Sequence, residues 1–200
     1  MQKINDLILK KNTGTPKEFA LKLRVSERCL YKQLTLLKKL GAPIVFCPGA
    51  NSYQYSQSGG FIFTFDCKLY PNQESETFYD TFINTLTSII SKYKIEQNTR
   101  IESQSIIFLN KLKAKNPKLK LFIYPSTFDQ GLKIALENQL TGITISTRDI
   151  TKEQIKIAHD NNLEVAIWNT HTSSDNIEAV RKNPDYIQTD NVKHLLKLLK

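Results

Sequence analysis

What most constrains this chain is an alternation that begins near residue 100 and runs to the last residues. Short runs rich in Ile, Leu, Val and Phe are each followed by an amphipathic stretch of two or three helical turns. The period of the apolar residues predicts strands Arg100–Ser103, Leu119–Tyr124, Gly142–Ser146, Glu164–Asn169 and Asp185–Gln188. Between and after them it predicts helices Ile106–Ala114, Asp129–Asn138, Lys152–Asn161, Asn176–Arg181 and Val192–Leu199. Strands joined by helices of this length run parallel through right-handed crossovers. A longer helix over Glu74–Tyr93, with Phe78, Phe82, Leu86 and Ile89 or Ile90 at spacings of three or four, precedes the series. A strand entering at Phe61–Phe65 brings the expectation to about six parallel strands, an α/β half.

The first 60 residues read differently. They hold ten Lys or Arg against Asp6, Glu18 and Glu27, a net of +7, whereas the rest of the chain contributes only +2 of the total +9. Ile4, Leu7, Ile8 and Lys11 fit a first short helix. Thr15-Pro-Lys-Glu18 is a capping box with Pro at the first helical position. Ser26 caps a longer helix to Leu40, where Gly41 is placed to take a left-handed conformation. This last helix buries Leu30, Leu34 and Leu37 and turns Arg28, Lys32, Thr35 and Lys39 outward. Two short strands, Ile44–Cys47 and Ser52–Tyr55, follow across a Pro-Gly-Ala-Asn turn. Three helices plus a hairpin, with Thr15-Pro-x-Glu-x-Ala-x-x-Leu, Ser26-Glu-Arg-x-Leu-Tyr and Leu40-Gly-Ala-Pro-Ile, resemble the winged helix-turn-helix domain of bacterial transcription regulators. The resemblance implies a double-stranded DNA partner, with Arg28, Tyr31 and Lys32 toward the major groove and Lys38 and Lys39 on the backbone.

The two halves meet in Gly59–Pro71, Gly-Gly-Phe-Ile-Phe-Thr-Phe-Asp-Cys-Lys-Leu-Tyr-Pro. In an extended segment Asp66 and Lys68 share one face. Polar residues also collect at the C-terminal ends of the later strands: Glu102-Ser103, Ser126, Trp168-Asn-Thr-His171 and Thr189-Asp190. Asp190 is placed to cap the last helix. Cys29, Cys47 and Cys67 lack metal-ligand spacing and read as reduced thiols. Neither an N-terminal apolar leader nor an apolar run of membrane-spanning length is present in these residues, so no membrane partner and a cytoplasmic location are expected.

From Phe61 on, the run Phe65-Asp-Cys-Lys-Leu-Tyr, Ile101-Glu-Ser, Asn116-Pro-x-Leu-Lys-Leu, Ala158-His-Asp-Asn-Asn-Leu-Glu-Val-Ala-Ile-Trp-Asn-Thr and Pro184-Asp-Tyr-Ile-Gln-Thr-Asp resembles the C-terminal part of the glycerophosphodiester phosphodiesterase family. The resemblance implies a partial TIM barrel and metal-assisted hydrolysis of a glycerol phosphodiester ligand. Asp66 would help to hold a divalent cation (Mg or Ca), Lys68 would lie near the phosphate, and Trp168 and Glu102 would border the substrate. The family's early His-Arg pair, Glu-x-Asp pair and second His have no counterpart in residues 1–60, which contain no His, and Asp66 stands where Glu is usual. The resulting expectation is a DNA-binding transcription regulator, residues 1–60, joined to a catalytically degenerate barrel piece, residues 61–200. That piece would serve dimerisation or ligand sensing, with Lys68 as a catalytic remnant. Unclosed sheet edges suggest a homodimer. The alternative is a glycerophosphodiester phosphodiesterase, or a non-functional fragment of one.

Overall fold

Side chains on a strand alternate between its two faces, so a sheet packed under helices on one side sorts its residues by parity. The computed structural model, which describes residues 2–39, 42–56, 62–69 and 75–199, follows this rule in its larger part. The chain divides into two compact units, Met1–Phe61 and Ile62–Lys200.

The first unit has helices α1 (Gln2–Leu9), α2 (Pro16–Leu23) and α3 (Glu27–Lys39) and an antiparallel pair, β1 (Ile44–Cys47) with β2 (Ser52–Tyr55). Thr15 caps α2 in a capping box with Glu18, and Arg24 ends it in the left-handed region at φ 59°. Ser26 Oγ accepts from Cys29 N at 3.2 Å at the start of α3. Ile4, Ile8, Phe19, Leu30, Leu34, Leu37, Ile44 and Tyr53 form its core. Thr13 ties the α1–α2 turn to β2, because its hydroxyl accepts from Tyr53 N at 2.7 Å and pairs with Ser52 Oγ at 3.0 Å. Lys11 departs from the expected helix face: it follows α1 with φ 49°. The expected Leu40 terminus and Gly41 cap lie outside the described residues.

In the second unit β3 (Phe63–Asp66) is followed by α4 (Glu76–Tyr93), β4 (Thr99–Ser103), α5 (Ile106–Lys115), β5 (Lys120–Ile123) and α6 (Phe128–Glu137). Then come β6 (Gly142–Ser146), α7 (Lys152–Asp160), β7 (Glu164–Thr170), α8 (Ser173–Lys182), β8 (Tyr186–Thr189) and α9 (Val192–Leu198). The six strands form one parallel sheet in sequence order, as in a barrel with part of its wall absent. Parts of the expected seam, Gly59, Gly60, Phe61, Tyr70 and Pro71, and the expected helix start Glu74, are outside the described residues.

One parity, Ile101, Leu121, Ile123, Ile143, Ile145, Val165 and Ile167, packs with Ile83, Leu86, Ile90, Phe108, Leu109, Leu112 and Ala158 of the helices. The opposite parity carries Asp66, Arg100, Glu102, Lys120, Thr144, Glu164, Trp168, Tyr186 and Gln188 and lines the concave side. The sheet curls far enough for β8 to reach β4 and β5. The Arg100 guanidinium lies 4.7 Å from the centre of the Tyr186 ring and 4.9 Å from that of Phe122, and Lys120 Nζ donates to Tyr186 Oη at 3.2 Å.

Helix starts follow local chemistry. Ser75, Ser105, Thr127, Thr151 and Thr172 each accept a backbone N–H three residues on. The expectation for α9 is corrected: Asn191, not Asp190, caps it, its side chain accepting from His194 N.

Gly142 opens β6 where three strands press together. A Cβ there would stand 2.0 Å from the Glu164 carbonyl oxygen and 2.6 Å from the Phe122 ring. Gly142→Ala must therefore push β7 away from β6, and its destabilisation should reach about 1–3 kcal/mol, the usual cost of overpacking, read from the urea midpoint at unchanged slope.

Candidate functional site

Parallel βα units place their loops at the C-terminal ends of the strands, and the second unit concentrates its polar chemistry there. Asp66 is the last residue of β3, and Cys67 N continues the ladder by donating to Glu102 O at 2.8 Å. Ser103 Oγ donates to Cys67 O at 2.8 Å, fixing the backbone just before Lys68. Lys68 Nζ then returns to Asp66 Oδ2 at 3.2 Å, with both side chains about half exposed. In so wet a setting the pair adds little stability; what it provides is a positioned cation.

Behind it lies Glu102, 4 % exposed. Arg100 Nη2 donates to its Oε2 at 3.1 Å and Thr144 Oγ1 to the same oxygen at 2.9 Å, while Gln188 Nε2 is 3.1 Å from each oxygen. Burial lowers the pKa of Arg100, and the charge of Glu102 opposes that shift. Asp66, Lys68, Glu102, Tyr124, Thr144, Trp168 and Gln188 enclose a cavity of about 230 Å³. Tyr124 and Trp168 meet edge to face, with ring centres 5.6 Å apart. The four residues singled out on this half of the sequence, Asp66, Lys68, Glu102 and Trp168, thus line one cavity. Tyr124, Thr144 and Gln188 escaped sequence reasoning, although the polar residue inside Gly142-Ile-Thr-Ile-Ser was a usable signal.

After β7, His171 Nδ1 lies 2.5 Å from Asp190 Oδ2 and its Nε2 lies 2.8 Å from Asn169 Oδ1. Asn169 has φ 67°, in the register shift that interrupts β7–β8 pairing. His159 pairs with Asp185 at 2.9 Å, and Asp185 also accepts from Val165 N at 2.7 Å, a link between α7 and the β7–β8 edge. In the first unit Arg28, Tyr31, Lys32 and Lys39 border a shallow groove along α3, and Lys38 is exposed elsewhere on the helix.

No family model matches this chain, and no curated protein matches it. Solved structures do. It is similar to a protein designated a glycerophosphoryl diester phosphodiesterase from Silicibacter pomeroyi, at 17% identity and TM-score 0.63, over 69% of this chain and 50% of that one. A glycerophosphodiester phosphodiesterase from Parabacteroides distasonis is 13% identical with TM-score 0.60, over 70% of this chain and 58% of that one. A phosphodiesterase from Oleispira antarctica, in complex with the product sn-glycerol-3-phosphate, is 13% identical with TM-score 0.54, over 66% and 53%. The chain therefore spans about half the length of the structures it resembles, and the likeness shows that it has the fold of part of their barrel.

This finding corrects the expectation of a DNA-binding regulator with a degenerate pseudoenzyme domain. The neighbours are phosphodiesterases, and the barrel half retains a built polar cavity at the end where such a fold binds ligands. Charge asymmetry in residues 1–60 records a basic surface and does not by itself specify duplex binding. For the described residues of the first unit, three helices and a two-stranded hairpin are the extent of the finding. No helix among the described residues is long and apolar enough to cross a membrane.

The family resemblance also implies a divalent cation, which takes six or more oxygen ligands or retains several waters. Among the described residues no group of three His, Cys, Asp or Glu side chains converges to hold one. Both Glu102 oxygens are occupied by donors, and Asp66 is paired with Lys68. The described residues do not make a cation site on their own.

Two outcomes are expected. Glu102→Ala strands Arg100 in the interior and should cost roughly 3–5 kcal/mol, most of it recovered when Arg100→Met is added, as measured by urea unfolding. Burial, with the charges of Asp66 and Glu102, pushes the Cys67 thiol up to about 12. Cys67 should consequently resist a thiol reagent at pH 8 in the folded chain and react once urea is added, as mass spectrometry of the labelled peptides would establish.

Proposed function

We propose that this chain acts on phosphodiesters of glycerol, as a phosphodiesterase of the glycerophosphodiester type. The observation that carries the reading is the convergence of Lys68, Asp66 and Glu102 with Trp168 on one cavity at the C-terminal ends of parallel strands. The likeness to phosphodiesterase structures supports it.

A phosphodiester carries one negative charge, and the trigonal-bipyramidal transition state spreads more negative charge over the equatorial oxygens. The Lys68 ammonium, held beside Asp66, meets that charge with a donor already in place. Asp66 can take the proton of an attacking water, a role suited to a carboxylate at the wet mouth of a cavity. Glu102 is too fully engaged for proton transfer. It holds Gln188 and Thr144 in the cavity wall and keeps Arg100 charged within the barrel. Trp168 and Tyr124 supply the apolar side against which an ester arm is oriented. For Met1–Phe61 we propose a winged helix-turn-helix architecture and assign it no role in the chemistry.

The test is release of glycerol 3-phosphate from a glycerophosphodiester, with Mg²⁺ or Ca²⁺ supplied. The native chain is expected to turn the ester over, and Lys68→Ala to lose about 100-fold or more in kcat/KM, in line with the loss of one preorganised transition-state donor. Absence of turnover by the native chain, or full turnover by Lys68→Ala, would overturn the proposal.

A further inference from the structure

Beside the cavity just described lies a larger one, of about 460 Å³, that shares Tyr124 and Trp168 with it. Its walls come from the ends of four consecutive strands. Gln104 follows β4, Ser126 follows β5, Gln130 lies in the first turn of α6, Asp149 lies in the short 3-10 turn after β6, and Trp168 belongs to β7. A diester whose phosphorus lies beside Lys68 would extend one of its ester arms past Trp168 into this space.

The lining decides what that arm can be. Among the described residues that line it there is no Lys, Arg or His, so they offer a second phosphate no counter-charge. Gln104, Ser126 and Gln130 each donate and accept, and Asp149 accepts at two oxygens. This is the complement of a group whose every polar atom also donates and accepts, as vicinal hydroxyls do. The edge-to-face pair of Tyr124 and Trp168, at 79°, offers a ring surface for C–H groups. The Trp168 indole N–H is shielded from solvent and has no partner among the described residues. A glycerol arm would fill little of a cavity twice the size of the phosphoryl one. A quaternary ammonium would leave the amide and hydroxyl groups unmatched and would find one ring face instead of a cage.

We propose, resting on the phosphodiesterase reading above, that the larger cavity is the subsite for the alcohol arm, and that it selects a hydroxylated ring, a monosaccharide or a cyclitol, through Asp149, Gln130, Gln104 and the Tyr124–Trp168 pair. Preference for such esters is then set by the loops after β4, β5 and β6, apart from the residues that meet the phosphoryl group.

Trp168 is the only tryptophan of the chain, so its emission reports on these two cavities alone. The full chain is titrated with glucose 1-phosphate, inositol 1-phosphate, glycerol 3-phosphate and phosphocholine. One or both ring esters should bind about tenfold or more tighter than the two acyclic ones, a difference of about 1.4 kcal/mol, and which of the two binds tighter separates monosaccharide from cyclitol. Asp149→Ala and, independently, Gln130→Ala should reduce that preference toward parity while glycerol 3-phosphate binds as before. Both side chains are on the surface, and circular dichroism verifies that each variant is folded. Ring esters binding no tighter than glycerol 3-phosphate, a preference unchanged in both variants, or phosphocholine binding tightest would overturn the subsite and leave the phosphodiesterase reading standing. If none of the four esters alters the emission, both fall together.

Discussion

The described half-barrel depends on a single buried carboxylate. Glu102 receives Arg100 from its own strand, Thr144 from β6 and Gln188 from β8, and so ties strands that the backbone ladder does not join directly. A parallel sheet is ordinarily stabilised by apolar cover on both faces. Here one face has that cover and the other is held by charge-assisted hydrogen bonds across a curl. Such a hub is high in consequence because its members cannot be removed singly: a buried ion left without its partner costs more than the pair contributes. Below it, Lys120, Glu164 and Tyr186 make a second cross-strand group, with Tyr186 Oη donating to Glu164 at 2.8 Å. The concave face is thus organised in tiers, structural at the N-terminal ends of the strands and open to chemistry at the C-terminal ends.

That tiering explains how a short piece of sheet can carry a site. Arg100, Glu102 and Gln188 form the floor, whose hydrogen bonds leave little freedom. Lys68, Asp66, Tyr124 and Trp168 form the wet upper layer. The amine that would meet phosphate is therefore not the one that neutralises the interior. Arg100 has that second task, pressed between the Phe122 and Tyr186 rings, and the separation lets Lys68 remain half exposed.

Much of this architecture was legible beforehand, for identifiable reasons. The Ile-rich parity of β6 and β7 made the strands plain, and Thr15 and Ser26 marked the starts of α2 and α3; α8 begins at Ser173, three residues before the expected Asn176, because Thr172 caps it. Asp190 was misassigned because Asp190 and Asn191 are both good capping residues; the structure uses Asn191, which leaves Asp190 to hold His171. Side chains that meet across the curl were not legible at all. Gln188 and Glu102 are 86 positions apart, and nothing in either strand's pattern encodes that they converge. The regulator reading failed on a different ground. It drew function from a resemblance of short motifs in residues 1–60 to a winged helix-turn-helix domain and from their basic surplus, whereas surplus charge constrains solubility and association and does not name a partner.

One feature of β3 reaches beyond its size. This four-residue strand pairs with β4 at one end of the sheet and ends on Asp66 at the cavity, and the next residue, Cys67, enters the apolar layer. A slip of one residue would exchange the two, driving a carboxylate among Ile and Phe side chains and turning Lys68 away from the cavity. The site therefore has its own proofreading. The same misalignment that would turn Lys68 from the cavity is opposed by the core, which would have to bury Asp66 in place of Cys67.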